Sequence, residues 1–177
     1  MHRLLAIINL CLLLLIHVNA HDAEAAGAKE IQAAFLVKFT AYVTWPAGTF
    51  ADPDSSLIIS IHGRDPFGTT IDNIARSYSS NGRNVEIRRC PNMDKSCSGN
   101  IIYIVPSGTD KGPSPLSVAN SSAALLVGNE PKFLERGGMI NFVKVGRKIR
   151  FDISKTNINK AGLEISSKLL NVARAIH

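Results

Sequence analysis

The sequence predicts an α/β fold: a single-domain three-layer sandwich with a mostly parallel central sheet, an antiparallel C-terminal edge hairpin, and helices on both faces. Three observations lead there. Short apolar runs at 57–62, 101–105 and 124–127 alternate with segments of helical period. The run Ile101-Ile102-Tyr103-Ile104-Val105 is apolar at every position, as a strand covered on both faces requires. Residues 139–145 and 148–153 flank Gly146-Arg147, a two-residue Gly-X connection that suits a hairpin.

The elements follow in chain order. Met1-His2-Arg3 is a short basic start, and residues 4–18 are apolar except for Asn9 and His17. With the small residues Val18 and Ala20 around Asn19, residues 1–20 read as a secretory signal peptide cut after Ala20. The competing reading, a membrane anchor, needs about 20 apolar residues. A lipoprotein signal needs a small residue before its cysteine, and Leu10 precedes Cys11. The expected product is an exported soluble chain, with no membrane insertion after cleavage. It has a flexible Ala-rich leader at 21–28 and one folded domain at 29–177.

In that domain Ile31, Phe35, Phe39 and Tyr42, with Ala34, Leu36 and Val43, recur at helical spacing, and Pro46 ends the helix behind Trp45. A loop at 51–56 leads to a strand at 57–62, a helix around 69–77, a Ser80-Asn81-Gly82 turn and a strand at 85–89. After strand 101–105 come a Gly/Pro/Ser stretch at 107–115, a weak helix near 116–119 and a strand at 124–127. A short helix starts at Pro131 and stops at Gly137-Gly138. In the last strand Ile149, Phe151 and Ile153 share one face, and Lys148, Arg150 and Asp152 the other. A helix over 155–161 is stopped by Gly162, and Ser166 caps a final helix with Leu169, Leu170, Val172, Ala173 and Ile176 as its buried stripe.

The formal net charge of +6 falls to +5 once Arg3 leaves, and no basic run exceeds two residues. A nucleic-acid surface would cluster these charges, so no nucleic-acid partner is expected. The cysteines left after cleavage, Cys90 and Cys97, enclose "CPNMDKSC". In an oxidising compartment they read as a structural disulfide, with a redox switch as the alternative. A metal site is disfavoured, since no histidine or further cysteine is near in sequence to complete it.

The stretch "GRDPFGTT" at 63–70 has the glycine spacing of a phosphate loop, yet Thr69 stands where lysine is needed. Pro66 has no N–H to offer, and Asp65 carries the wrong charge. It reads as a strand-ending turn. His62 is the one histidine placed for a site, with Arg64 and Asp65 as its candidate partners, although a structural role weighs more. No Gly-x-Ser-x-Gly elbow or H-E-x-x-H is present, so no enzyme and no cofactor or metal is expected. A hydrolase using His62 is the weakest reading.

Taken together, "AAFLVKFTAYVTWP", "ISIHGRDPFG", "CSGNIIYIVPS", "GGMINFVKVGRKIRFDIS" and "AGLEISSKLLNVA" follow in order the pattern of the YfiR family. The resemblance spans about 29–175, and Asp65-Pro66-Phe67-Gly68 is its turn motif. It implies a periplasmic regulatory protein that represses a membrane-anchored diguanylate cyclase by binding the cyclase's periplasmic sensor part. Such a protein tunes cyclic di-GMP signalling and biofilm formation. It also implies removal by an outer-membrane, peptidoglycan-associated lipoprotein, and a homodimer. With only Cys90 and Cys97, this chain lacks the two disulfide pairs of the best-understood member; Cys97 resembles a family position. The last hairpin and closing helices are the expected partner surface, with Phe142, Asp152 and Ile158 as candidates and core packing as the alternative for Phe142 and Ile158. A periplasmic small-ligand-binding protein, using the crevice near 63–69 and the strand ends, is the other reading.

Overall fold

The computed structural model describes residues 24–91, 97–106, 117 and 123–177. The expected signal peptide at 1–20 and most of the expected weak helix at 116–119 lie outside the described residues. An eight-stranded sheet organises the chain, in the order β10-β8-β7-β6-β5-β2-β4-β3. Its strands are β2 (Leu57–His62), β3 (Ser79–Ser80), β4 (Arg83–Cys90), β5 (Ile101–Ile104), β6 (Leu125–Gly128), β7 (Ile140–Val145), β8 (Lys148–Ile153) and β10 (Ala175–Ile176). The pairings β4-β2-β5-β6-β7 are parallel, and β7-β8 is antiparallel. The expected α/β fold with its antiparallel hairpin is what the chain adopts. Val145 pairs with Lys148 across Gly146, whose φ of 59° lies in the left-handed region that glycine enters without strain. Asn81 and Gly82 both have positive φ, which makes the β3–β4 hairpin of the primed type.

Register sets the two faces. Ile61, Tyr103 and Val127 are aligned, as are Phe142 and Phe151, and all point to one side. Helix α1, described over 24–39, covers them: Phe35 and Phe39 pack on Phe142 and Phe151 with ring centroids 5.2–6.1 Å apart. Helix α2 (Thr69–Arg76) lies on the same side and buries Ile71 and Ala75. The other side carries His62, Ile102, Leu126, Gly128 and Asp152. There the Phe133 ring sits so close to Gly128 that a Cβ would overlap it. Residues 97–100 run back over β2 on that side, where a Cβ on Gly99 would lie 2.8 Å from Ser60 Oγ.

Several boundaries differ from expectation. Residues 24–28, expected in a flexible leader, are helical. Helix α1 ends at 39, before Pro46. The Thr40 hydroxyl donates to the Val37 carbonyl at 2.6 Å, and β-branched Val43-Thr44 form strand β1, paired with β9 (Glu164–Ile165). Ile31 is 42% exposed, off the buried stripe. Residues 131–137 form successive turns, not a helix. The helix expected at 155–161 is α3 (Lys155–Lys160), its first turn capped by Ser154 Oγ accepting from Asn157 N–H, with Gly162 at φ 71° behind it. The final helix α4 is only Ser167–Leu170; the chain then turns back, and Ala175–Ile176 join β8 as the parallel strand β10.

Candidate functional site

The turn at 63–70 is tied to itself and to the neighbouring strand β4. Asp65 Oδ1 accepts the Phe67 N–H at 2.7 Å, the local bond that Asp favours in turns. Arg89 on β4 then reaches Asp65 at 2.8 Å, Asp72 on α2 at 2.6 and 3.1 Å, and the Gly68 carbonyl at 2.9 Å. These bonds hold the Asp72 carboxyl below its ordinary value and push Arg89 up. Phe67 packs on Tyr103 at 5.0 Å, and burial raises the Tyr103 hydroxyl. The Phe67 N–H, the Asp65 carboxylate and the Gly68 carbonyl are thus engaged by the turn and Arg89. Gly68 enters α2 with φ 55°, which explains the glycine there.

One residue further along β4, the chain faces the other side of the sheet. Cys90 is bonded to Cys97, as expected. The β2–β4 register sets His62 directly opposite Cys90, and a ring nitrogen of His62 lies within 4.8 Å of both sulfurs. The expectation that no histidine accompanies the cysteine pair is therefore corrected: 28 residues separate His62 from Cys90 in sequence, but parallel pairing closes that gap. His62 Nε2 is 2.9 Å from the Cys97 carbonyl, and the ring is fully buried. The expected polar group of His62, Arg64 and Asp65 does not assemble, because His62 and the Asp65–Arg89 pair lie on opposite faces.

Of the candidate partner residues, two are buried. Phe142 is 3% exposed within the aromatic cluster, and Ile158 is 1% exposed on the buried face of α3. Both act in packing, the alternative weighed for them. Asp152 is different. It is bound by both arms of Arg174 and lines a cleft of about 470 Å³ with Lys132, Asn141, Asn157 and His177. The carboxylate pushes Arg174 upward. Beside this cleft, Val172 and Ile176 are 54% and 52% exposed, and the outer edge of β10 carries no strand among the described residues. Of the expected buried stripe, Leu169 is buried and Leu170 and Ala173 pack on the core, while Val172 and Ile176 form an exposed apolar edge. Helical spacing misled because the helix stops after four residues; Ile176 two places after Arg174 fits a strand equally well.

A second cavity, about 340 Å³, opens at the carboxyl ends of β5 and β6 between α1 and the Asp65-Pro66 turn. Lys29, Gln32, Pro66, Tyr103, Asn129 and Lys144 line it. Among the described residues the buried Asn129 Oδ1 accepts no hydrogen bond. Chain order changes direction at β2, whose neighbours are β4 and β5, so the cavity lies beside the switch point where open α/β sheets bind ligands.

Comparison with known proteins decides the family. The model of the family described as YfiR/HmsC-like matches residues 29–174. The chain belongs to the YfiR/HmsC-like family. The YfiR/HmsC-like family is one of diguanylate cyclase regulators. No curated protein sequence matches the chain. Among solved structures, the ABC domain from Streptococcus pneumonia in complex with L-Trp is 15% identical with a TM-score of 0.54, covering 82% of this chain and 60% of that one. A conserved domain protein from Vibrio cholerae O1 biovar El Tor is 14% identical with a TM-score of 0.48, covering 68% and 54%. The chain thus spans between half and two thirds of each, and the likeness to the first is one of fold alone. No described helix is long and apolar enough to cross a membrane.

Proposed function

We propose that this protein is a periplasmic repressor that binds the periplasmic sensor part of an inner-membrane diguanylate cyclase and lowers cyclic di-GMP output by contact. The observation that carries this reading is the family match over nearly the whole folded domain. The contact surface is the β10 edge with Val172 and Ile176, together with the Asp152–Arg174 cleft. An unpaired strand edge beside exposed apolar side chains accepts a partner strand, and the adjacent ion pair sets its register. An outer-membrane, peptidoglycan-associated lipoprotein competing for the same edge would relieve repression, and a second copy pairing there would give the homodimer.

Deletion of the gene is expected to raise cyclic di-GMP, and pull-down from envelope extracts to recover a cyclase sensor part. Unchanged nucleotide levels together with no cyclase recovered would refute the reading. The strand-end cavity favours a second reading, a periplasmic small-ligand-binding protein. It rests on the unsatisfied Asn129 acceptor and on the switch-point position, and a solved structure of similar fold holds L-Trp. A thermal-shift screen of amino acids that raises the melting midpoint of the wild type but not of Asn129→Leu would support it.

A further inference from the structure

We propose that His62, Cys90 and Cys97 form a redox-gated site for a thiophilic cation of the zinc class, closed while the disulfide is intact and opened by its reduction. This goes beyond cyclase regulation and does not depend on it. The donor set is one imidazole and two sulfurs, whose ligand atoms all lie within 4.8 Å of one another. The edges of a tetrahedral site with two sulfurs and one nitrogen are about 3.5–3.8 Å, so breaking the bond lets the sulfurs part to that spacing while the imidazole stays within reach.

The strands hold two of the three donors in place. His62 and Cys90 are register partners on adjacent parallel strands, and both are buried. The third, Cys97, is half-buried, which gives an ion its way in. The ring also lies against the backbone of the third donor, with Nε2 2.9 Å from the Cys97 carbonyl. Water completes the fourth position.

The chemistry balances. A dithiol reductant delivers two electrons and two protons to the Cys90–Cys97 bond, leaving as its own disulfide and producing two thiols. A divalent ion then binds both sulfurs and the imidazole, and the two thiol protons pass to solvent.

The test uses the full chain, oxidised or reduced under argon with a thiol-free phosphine, and titrated with Co(II) and then Zn(II). The reduced protein is expected to develop a thiolate-to-cobalt charge-transfer band that Zn(II) abolishes, and the oxidised protein to show none. His62→Gln is expected to weaken binding at least ~10-fold, the loss that removal of even a supporting group brings, and Cys97→Ser to lose the band. Zn(II) is also expected to raise the melting midpoint of the reduced wild type and leave the oxidised one unchanged, a comparison needing no variant. A reduced wild type without a band, a reduced midpoint that Zn(II) leaves unmoved, or a folded His62→Gln protein with wild-type affinity would each overturn the site.

Discussion

The two ends of the sheet are built on opposite principles. At the β3–β4 end, polar groups turn inward. Arg89 binds two carboxylates and a carbonyl. Arg83 donates to the Asp52 and Ser55 carbonyls and lies 4.0 Å over the Phe50 ring, and the Cys90–Cys97 bond fixes the tip of β4. At the β10 end a two-residue strand closes the sheet, and two apolar side chains face solvent. At the β3–β4 end the charged side chains of Arg89, Asp65 and Asp72 are already paired, while past β3 the outer edge of β4 carries no strand among the described residues. An end with an open edge and exposed Val172 and Ile176 offers backbone hydrogen bonds and apolar area together. The difference separates residues that hold the fold from residues available for contact.

The largest expected effect tests the placement of Phe142 on the holding side. Phe142→Ala removes a ring that touches Phe35, Phe39 and Tyr103, and should cost about 3–5 kcal/mol in denaturant unfolding. Partner capture per folded molecule should stay at the wild-type level; a selective loss of capture at unchanged stability would return Phe142 to the contact surface. Next in size is the disulfide. Replacing Cys90 and Cys97 by Ser opens an eight-residue loop and should lower stability by about 2.5 kcal/mol in the same assay.

Arg89→Met should cost less, about 1 kcal/mol, because the guanidinium is 40% exposed and water screens its pairs. Its signature is in pH dependence. Asp72 has a folded value below its ordinary 3.8, so its contribution is complete above that pH and drains away as pH falls through the lower folded value. The wild type should therefore lose stability on acidification below about pH 4 more steeply than Arg89→Met. Parallel acid limbs in urea titrations across this range would show that the Arg89 cluster adds nothing to the β3–β4 end.

Which end is which was only partly legible in the sequence. The hairpin about Gly146-Arg147, the buried run at 101–105 and the Asp65-Pro66 turn depend on local chemistry: glycine in the left-handed region, alternation, and an Asp side chain bonding its own backbone. Each is readable from a few neighbouring residues. Arg89, which ties that turn to α2, left no local mark, because its acids lie 24 and 17 residues away. The same holds for His62 beside Cys90, which only parallel pairing brings together. At the other end, apolar residues after Ser166 fitted a helical stripe, but β10 replaces the last turn because His177 N–H bonds the Ile153 carbonyl and Lys155 N–H bonds the His177 carbonyl. A strand of two residues is too short to show alternation.

The smallest effect on stability carries the most about function. Val172 and Ile176 are more than half exposed, so replacing both by Lys removes little buried area and should change unfolding free energy by no more than about 0.5 kcal/mol per site. The backbone bonds from β10 to β8 are unaffected, and the Arg174–Asp152 pair remains. Binding should respond differently. A partner strand laid along the β10 edge would have to cover two ammonium groups, an unfavourable desolvation without a matching acid. The double variant should melt like the wild type, fail to recover the cyclase sensor part in pull-down, and leave cyclic di-GMP at the level of the deletion strain. Normal capture by a normally folded Val172→Lys, Ile176→Lys protein would move the contact away from this edge, leaving the Asp152 cleft as the remaining open polar surface at that end of the sheet.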